Sequence, residues 1–204
     1  MIRKILIVVV VLIILLFVVA AAQPDAFEIK RSEMIDAPPA VVFSQVNDLH
    51  AWPAWSPWAK LDPNMQTTYE GPGAGVGASY AWVGNSDVGE GKMTIIESQE
   101  PNELTLRLEF LKPFEATNTT TFSFHGMAAG THLTWGMQGE NSLMGKVASL
   151  FMDMDAMVGK DFEKGLAALK EVAESEAQKA AAAEKAAPTP EPAAVDAGVD
   201  AAVE

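Results

Sequence analysis

Apolar side chains fill the chain without a break from Ile5 to Ala22, and Arg3 and Lys4 stand just before them. Eighteen helical residues rise about 27 Å, close to the roughly 30 Å of a bilayer's hydrocarbon. Period-two alternation takes over at Phe27–Ile35 and predicts a strand. Ala37-Pro38-Pro39 ends that strand, and a proline in the first turn opens a short helix carrying Val42, Phe43 and Val46. Trp52, Trp55 and Trp58 follow at three-residue steps, broken by Pro53 and Pro57. That pattern predicts an irregular, tightly packed loop.

Alternation then returns six times. Strands are expected at Met65–Tyr69, Ala78–Val83, Met93–Gln99, Leu104–Phe110, Phe114–Phe124 and Thr131–Met137, separated by Gly, Pro and Asn turns. Leu104, Leu106, Leu108 and Phe110 share one face; Phe122 with Phe124, and Leu133 with Trp135 and Met137, continue it. One dry face and one wet face predict an antiparallel sheet covered on one side. The cover comes last. From about Leu143 the period becomes helical, with Val158, Phe162, Leu166, Leu169 and Val172 at three- and four-residue steps.

Beyond Ser175 alanine dominates, and Pro188, Pro190 and Pro192 alternate with small or polar residues. Such a segment lacks the apolar surface that offsets ordering entropy. Its alanine-rich part, to about Ala187, extends the helix a few turns, and the rest is a tail. Removing Pro188–Glu204 is expected to change stability by less than about 0.5 kcal/mol. The chain therefore divides into residues 1–24, an apolar anchor, 25–175, one folded domain, and 176–204, a disordered Ala/Pro/Glu-rich tail.

Composition narrows the chemistry. With 49% apolar residues, a domain of roughly 150 residues buries its own core. There is no cysteine, which excludes a disulfide framework, a thiolate metal site and a cysteine nucleophile. A formal charge of −13 argues against a nucleic-acid partner, whose phosphates need Lys and Arg. For the first segment, an uncleaved membrane anchor competes with a signal peptide cleaved near Ala20-Ala21-Ala22. The length of the apolar run favours the anchor. Either way the basic N-terminus stays in the cytoplasm and the domain lies outside it, in the periplasm or beyond.

Catalytic signatures are sparse. The Gly71–Gly77 loop leads into a strand rather than a helix, so it does not fit a dinucleotide fingerprint. No GxSxG elbow or HExxH pair occurs. His125 and His132 flank one turn on the wet face without a carboxylate beside them, a poor metal site. His50 lies in the loop before Trp52, a candidate for the cavity mouth. Glu90, between Gly89 and Gly91, is the carboxylate to test if the domain proves catalytic. Asp153 and Asp155 point apart on a helix, and Asp161 with Lys164 makes a surface pair. Met144, Met152, Met154 and Met157 cluster beside Phe151 at the start of the long helix, fit for a core, an adaptable cavity or a membrane surface. No catalytic residue, metal or cofactor is assigned.

The blocks WPAWSPW (Trp52–Trp58), Tyr80-Ala81-Trp82 with Gly84-Asn85, Gly89-Glu90-Gly91 and MDAMVGKDFEKGLAALK (Met154–Lys170) resemble the START-like, helix-grip SRPBCC superfamily. The likeness is to its polyketide cyclase/dehydrase and lipid transport branch, and to membrane-anchored bacterial members, and it covers Phe27 to about Glu174. It implies an α+β helix-grip fold: a curved antiparallel sheet wrapped around a long C-terminal helix, here preceded by one transmembrane helix. It also implies a hydrophobic small molecule or lipid held between sheet and helix. Strand parity and helical spacing place Trp82, Leu106, Leu108, Phe122, Trp135, Met137, Met157 and Phe162 at that interior, with Tyr80 and Asn118 as its polar groups. A cavity of roughly 300 Å³ or more is expected. Three functions compete: a tethered binding module for an apolar or amphipathic molecule, a cyclase/dehydrase-type enzyme, and an interaction protein whose cavity is collapsed by large side chains.

Overall fold

The computed structural model describes residues 1–186. Its first helix, α1 (Ile2–Ala21), leaves nearly all its side chains exposed. With a mean hydropathy of 3.4 it is long and apolar enough to cross a membrane. Four residues later the chain enters β1 (Ala26–Ile35). Pro38 and Pro39 then start α2 (Pro39–Asn47), which buries Val42, Phe43 and Val46. The tryptophan segment is more ordered than the expected loop. It forms two single-turn 3-10 helices, Trp52–Ala54 and Pro57–Lys60, each with a proline in its first turn.

Six further strands follow: β2 (Gln66–Glu70), β3 (Ser79–Val83), β4 (Glu90–Gln99), β5 (Glu103–Lys112), β6 (Ala116–Met127) and β7 (Gly130–Glu140). All pair antiparallel in one seven-stranded sheet of order β1-β7-β6-β5-β4-β3-β2. The first strand thus closes against the last, while the others form a meander. Two register shifts in the β4–β5 pair, at Glu90/Gly91 and Ile95/Glu97, are where bulges bend a sheet.

The helical stretch expected from Leu143 is broken. A short α3 (Leu143–Ser149), capped by the Ser142 hydroxyl, ends before the 33-residue α4 (Met154–Ala186). Asp153 starts α4 by accepting the Ala156 N–H, 2.9 Å away, as an N-cap carboxylate does. The alanine-rich stretch after Ser175 continues the helix to Ala186, and the Pro-rich stretch expected to be a tail lies outside the described residues. Phe162, Leu166, Leu169 and Ala173 are the buried stripe of α4, and this helix crosses the concave face of the sheet. The architecture is α+β and matches the helix-grip fold.

Two glycines let α4 lie close. A methyl group at Gly165 would sit 2.7 Å from a ring carbon of Trp135, and one at Gly159 would strike the Arg31 guanidinium. Arg31 in turn reaches Asp155 Oδ2 at 2.9 Å and Glu163 Oε1 at 3.0 Å. Lys170 pairs with Glu33 at 2.7 Å, so β1 and α4 are joined along their length.

The core is filled unevenly. Phe43 of α2 meets Phe124 edge-on at 5.2 Å, and Ile35, Val46, Leu49, Leu104 and Leu133 are completely buried with them. This half is solid. The half nearer the start of α4 is not.

Candidate functional site

In that second half lies a cavity of about 230 Å³. Its floor is the concave face of β3 to β7, through Tyr80, Trp82, Met93, Leu106, Leu108, Phe110, Thr120, Trp135 and Met137. Alternation along each strand places these side chains on one face. The roof is the 3-10 segment, through Trp52, Ser56, Trp58 and Ala59, and the walls are Met65, Asp87, Val88 and two α4 residues, Val158 and Phe162. The volume falls short of the roughly 300 Å³ expected, because indoles occupy much of the space. Trp135 stacks on Phe162 at 4.1 Å and 8°, and Trp55 and Trp58 meet it edge-on.

Seven of the ten residues expected at the site line it: Tyr80, Trp82, Leu106, Leu108, Trp135, Met137 and Phe162. The other three do not. Met157 is 50% exposed; its neighbour Val158 faces inward, four residues before Phe162, as one helix stripe requires. Phe122 is buried behind Trp135, stacked at 4.9 Å. Asn118 is buried beside Met137 Sδ, to which its amide donates over 3.8 Å, and packs against Gly139. The roof and wall residues, Trp52, Ser56, Trp58, Ala59, Met65, Asp87 and Val88, lie outside the regular strands and helices whose period marks a buried face. Pro53 and Pro57, which favour tight helical starts, were the available signal that the tryptophan segment folds over as a roof.

The polar content is small and pointed. Trp52 and Trp55 donate their indole N–H groups to the Val46 and Gln45 carbonyls, at 2.9 and 3.1 Å, and Trp82 donates to Val88 at 3.3 Å. Trp135 Nε1 and Thr120 Oγ1, by contrast, are buried with no hydrogen-bond partner, and among the described residues these are the two such side-chain atoms. Both belong to the cavity lining. Leaving a buried polar group unpaired costs about 1–3 kcal/mol, and both such groups belong to residues of one cavity wall, the atoms themselves covered by neighbouring side chains. Burial, and next the neighbouring Tyr69, push the Tyr80 hydroxyl up to about 12. It is held neutral, as a donor.

His50 is not at this mouth. Its ring stacks on Tyr69 at 4.1 Å and its Nδ1 lies 3.1 Å from Asp48 Oδ1, beside a second, smaller cavity of about 140 Å³ against the Gly71–Gly73 loop. Glu90 is taken up by an ion pair with Lys112 at 2.6 Å. His125 and His132 face each other across β6 and β7. Among the described residues no cluster of three or more His, Asp or Glu is arranged to hold a metal.

Comparison with known proteins supplies the context. The family model described as polyketide cyclase / dehydrase and lipid transport matches residues 26–174. A solved structure of a Chromobacterium violaceum protein superposes with a TM-score of 0.53 at 15% identity, covering 74% of this chain and 99% of that one. A Rhizobium leguminosarum protein gives 0.54 at 15% identity, with 74% and 95% covered. The di-domain ARO/CYC StfQ from the steffimycin biosynthetic pathway gives 0.56 at 9% identity, covering 75% of this chain and 52% of that one. At these identities the likeness is one of fold. No curated protein matches the chain.

Proposed function

The chain belongs to the polyketide cyclase / dehydrase and lipid transport family, and from that premise we propose that it is a membrane-tethered module that binds an apolar or amphipathic small molecule. The observation that carries this reading is the coincidence of one apolar cavity with two buried polar atoms lacking protein partners. Ligand pockets are mostly apolar with a few convergent polar groups that fix orientation. Once a guest shifts the side chains that cover them, Trp135 Nε1 can donate and Thr120 Oγ1 can donate or accept, and Tyr80 adds a neutral hydroxyl. A cavity of about 150 Å³ accommodates benzene, so about 230 Å³ suits one or two rings or a short stretch of alkyl chain. A whole lipid does not fit inside.

Binding is preferred to a cyclase/dehydrase reaction because the cavity wall holds a single carboxylate, Asp87, and no histidine or lysine among the described residues. A proton-transfer reaction would have only Asp87, Tyr80 and the unpaired hydroxyl to work with. The tether is α1, with Arg3 and Lys4 on the cytoplasmic side and the domain outside.

Native mass spectrometry of the full chain, extracted gently from membranes, tests the reading. A bound small molecule released unchanged is the expected result. Recovery of the chain with nothing bound, together with unchanged tryptophan emission across a series of one- and two-ring apolar alcohols, would decide for a collapsed interior. Conversion of the bound molecule during incubation, lost in Asp87→Asn, would make the protein an enzyme. A cytoplasm-only reporter fused after Glu204 should be silent, and an active one would reverse the topology.

A further inference from the structure

The two ends of the sheet differ in kind. Strand register brings the α1–β1 junction, the end of β7, the β3–β4 turn and the β5–β6 turn to one end, since Ala26 pairs Glu140, Asn118 pairs Gly139 and Glu90 pairs Lys112. Here α3 and α4 begin. The opposite end carries the β2–β3, β4–β5 and β6–β7 turns, and Asp36 there donates its N–H to Glu174, far along α4. Large apolar side chains left exposed outside α1 crowd the first end. Leu111 stands near the end of β5, Phe114 on the β5–β6 turn, Met144 on α3, Phe151 on the link to α4, and Met154 and Met157 on the first turn of α4; Phe114 is 82% and Phe151 74% exposed. The far end shows fewer and less exposed ones, Met34, Val76, Ile96 and Met127, none above 59% exposed.

α1 is fastened to the same end. It packs against α3, and Ala20 is completely buried. Lys146 of α3 pairs with Asp25, while Asn141 donates its backbone N–H to the Asp25 carbonyl at 2.8 Å and its side-chain amide to Pro24 at 3.2 Å. Four residues separate α1 from β1, a span of at most about 15 Å. A bilayer that holds α1 therefore lies alongside this rim.

We propose that the rim docks on the bilayer surface, with Phe114, Phe151 and the methionines of α3 and α4 seated among the lipid headgroups. The inference rests on α1 being a membrane tether. Apolar side chains on three separate elements, all around the one end from which an apolar helix emerges, are what an interfacial contact uses. Most cations near this end are already engaged, Lys30 by Glu28, Arg31 by Asp155 and Glu163, Lys112 by Glu90 and Lys146 by Asp25, which leaves Lys160 of α4 against a formal charge of −13 on the chain. Docking is thus driven by apolar insertion and does not need anionic lipid. Val158, Val88, Asp87 and Phe110 line the cavity at this same end. A hydrophobic ligand then passes between bilayer and cavity with little exposure to water.

The absence of cysteine from the chain gives a direct test. Phe114→Cys and Phe151→Cys at the rim, and Val76→Cys and Met127→Cys at the far end, each add one thiol at an exposed position. Each full-length variant is labelled with a fluorophore and reconstituted in phosphatidylcholine vesicles. Quenching is measured with a nitroxide carried by the lipid and with iodide in the water. Rim labels should be quenched several-fold more by lipid nitroxide than far-end labels, with iodide in the reverse order, and added phosphatidylserine should not deepen them. Rim and far-end labels equally open to iodide, in protein that floats with vesicles and resists carbonate, would overturn docking and leave the tether standing. Rim labels shielded from both quenchers would show that protein covers the rim, and would overturn the proposal. Failure to float would overturn tether and docking together. Ligand binding, read by native mass spectrometry, stands or falls separately from all of these.

Discussion

Among the described residues, Thr120 Oγ1 and Trp135 Nε1 are the two fully covered side-chain polar atoms that have no hydrogen-bond partner. Replacing Thr120 by Val keeps the shape and deletes the unpaired hydroxyl. The expected outcome is a ligand-free protein more stable by about 1 kcal/mol, measured by urea unfolding, with ligand affinity lowered several-fold in a fluorescence titration. A loss of stability would mean that the hydroxyl is satisfied in the empty protein. Gly165 behaves in the opposite way to most helical glycines. Alanine there would ordinarily gain about 1 kcal/mol of helix propensity, but its methyl meets a Trp135 ring carbon at 2.7 Å and Pro57 at 3.1 Å. Overpacking of that kind costs about 1–3 kcal/mol, so Gly165→Ala should lower the melting temperature. Tyr80 offers a pH readout. Its pKa, raised to about 12 by burial, lies above the unfolded value of about 10. The folded protein therefore holds this proton longer, and the stability it contributes is complete below about pH 10 and lost as pH rises toward 12. Of the two tyrosines, the later phenolate absorbance step should disappear in Tyr80→Phe.

Among the elements, the junction of β1 with α4 is set by Arg31. Hydrogen bonding to Arg31 holds the Asp155 carboxyl below its usual range. A depressed carboxylate pKa contributes stability above the unfolded value, about 3.9, that is lost as pH falls through the folded one. Asp155→Asn should therefore lower the melting temperature at neutral pH, and the difference from the parent chain should vanish in acid below the ordinary carboxylate range. An equal difference at both pH values would assign Asp155 a role in starting α4 instead. The elements themselves were largely legible in the sequence. Alternation at Leu104–Phe110 and the stripe from Phe162 to Leu169 identify buried faces because burial follows backbone period. The break between α3 and α4 was not legible, because Leu150 to Asp153 carries no Pro or Gly and the apolar pattern runs through it. Parity also could not distinguish Phe122 from Trp135. Both face inward, but only the three-dimensional stacking of Trp135 on Phe162 decides which one reaches the open space.

For the whole molecule, the solid half and the hollow half should differ in stability. Amides of β3 and of β4 around the cavity are expected to exchange with solvent faster than those of α2 and β6 near Phe43 and Phe124. A ligand held at a hundred times its dissociation constant should add about 2.7 kcal/mol, with the gain in protection confined to the hollow half. Uniform protection before and after ligand would show that the cavity is not a separate opening unit.

The glycines of α4 carry a consequence for how this scaffold diversifies. Since the helix already rests on Trp135 and Arg31 through Gly165 and Gly159, it has no room to move inward, and retreat would part Arg31 from Asp155 and Glu163. The floor belongs to a seven-stranded sheet in which every strand is paired. The roof, two proline-led turns bearing Trp52 and Trp58, is the layer held by side-chain packing rather than by strand pairing or ion pairs, so it can be trimmed at least cost to the other two. Lineages or engineers in search of a larger guest would therefore be expected to rewrite Trp52–Lys60 first and leave the helix untouched.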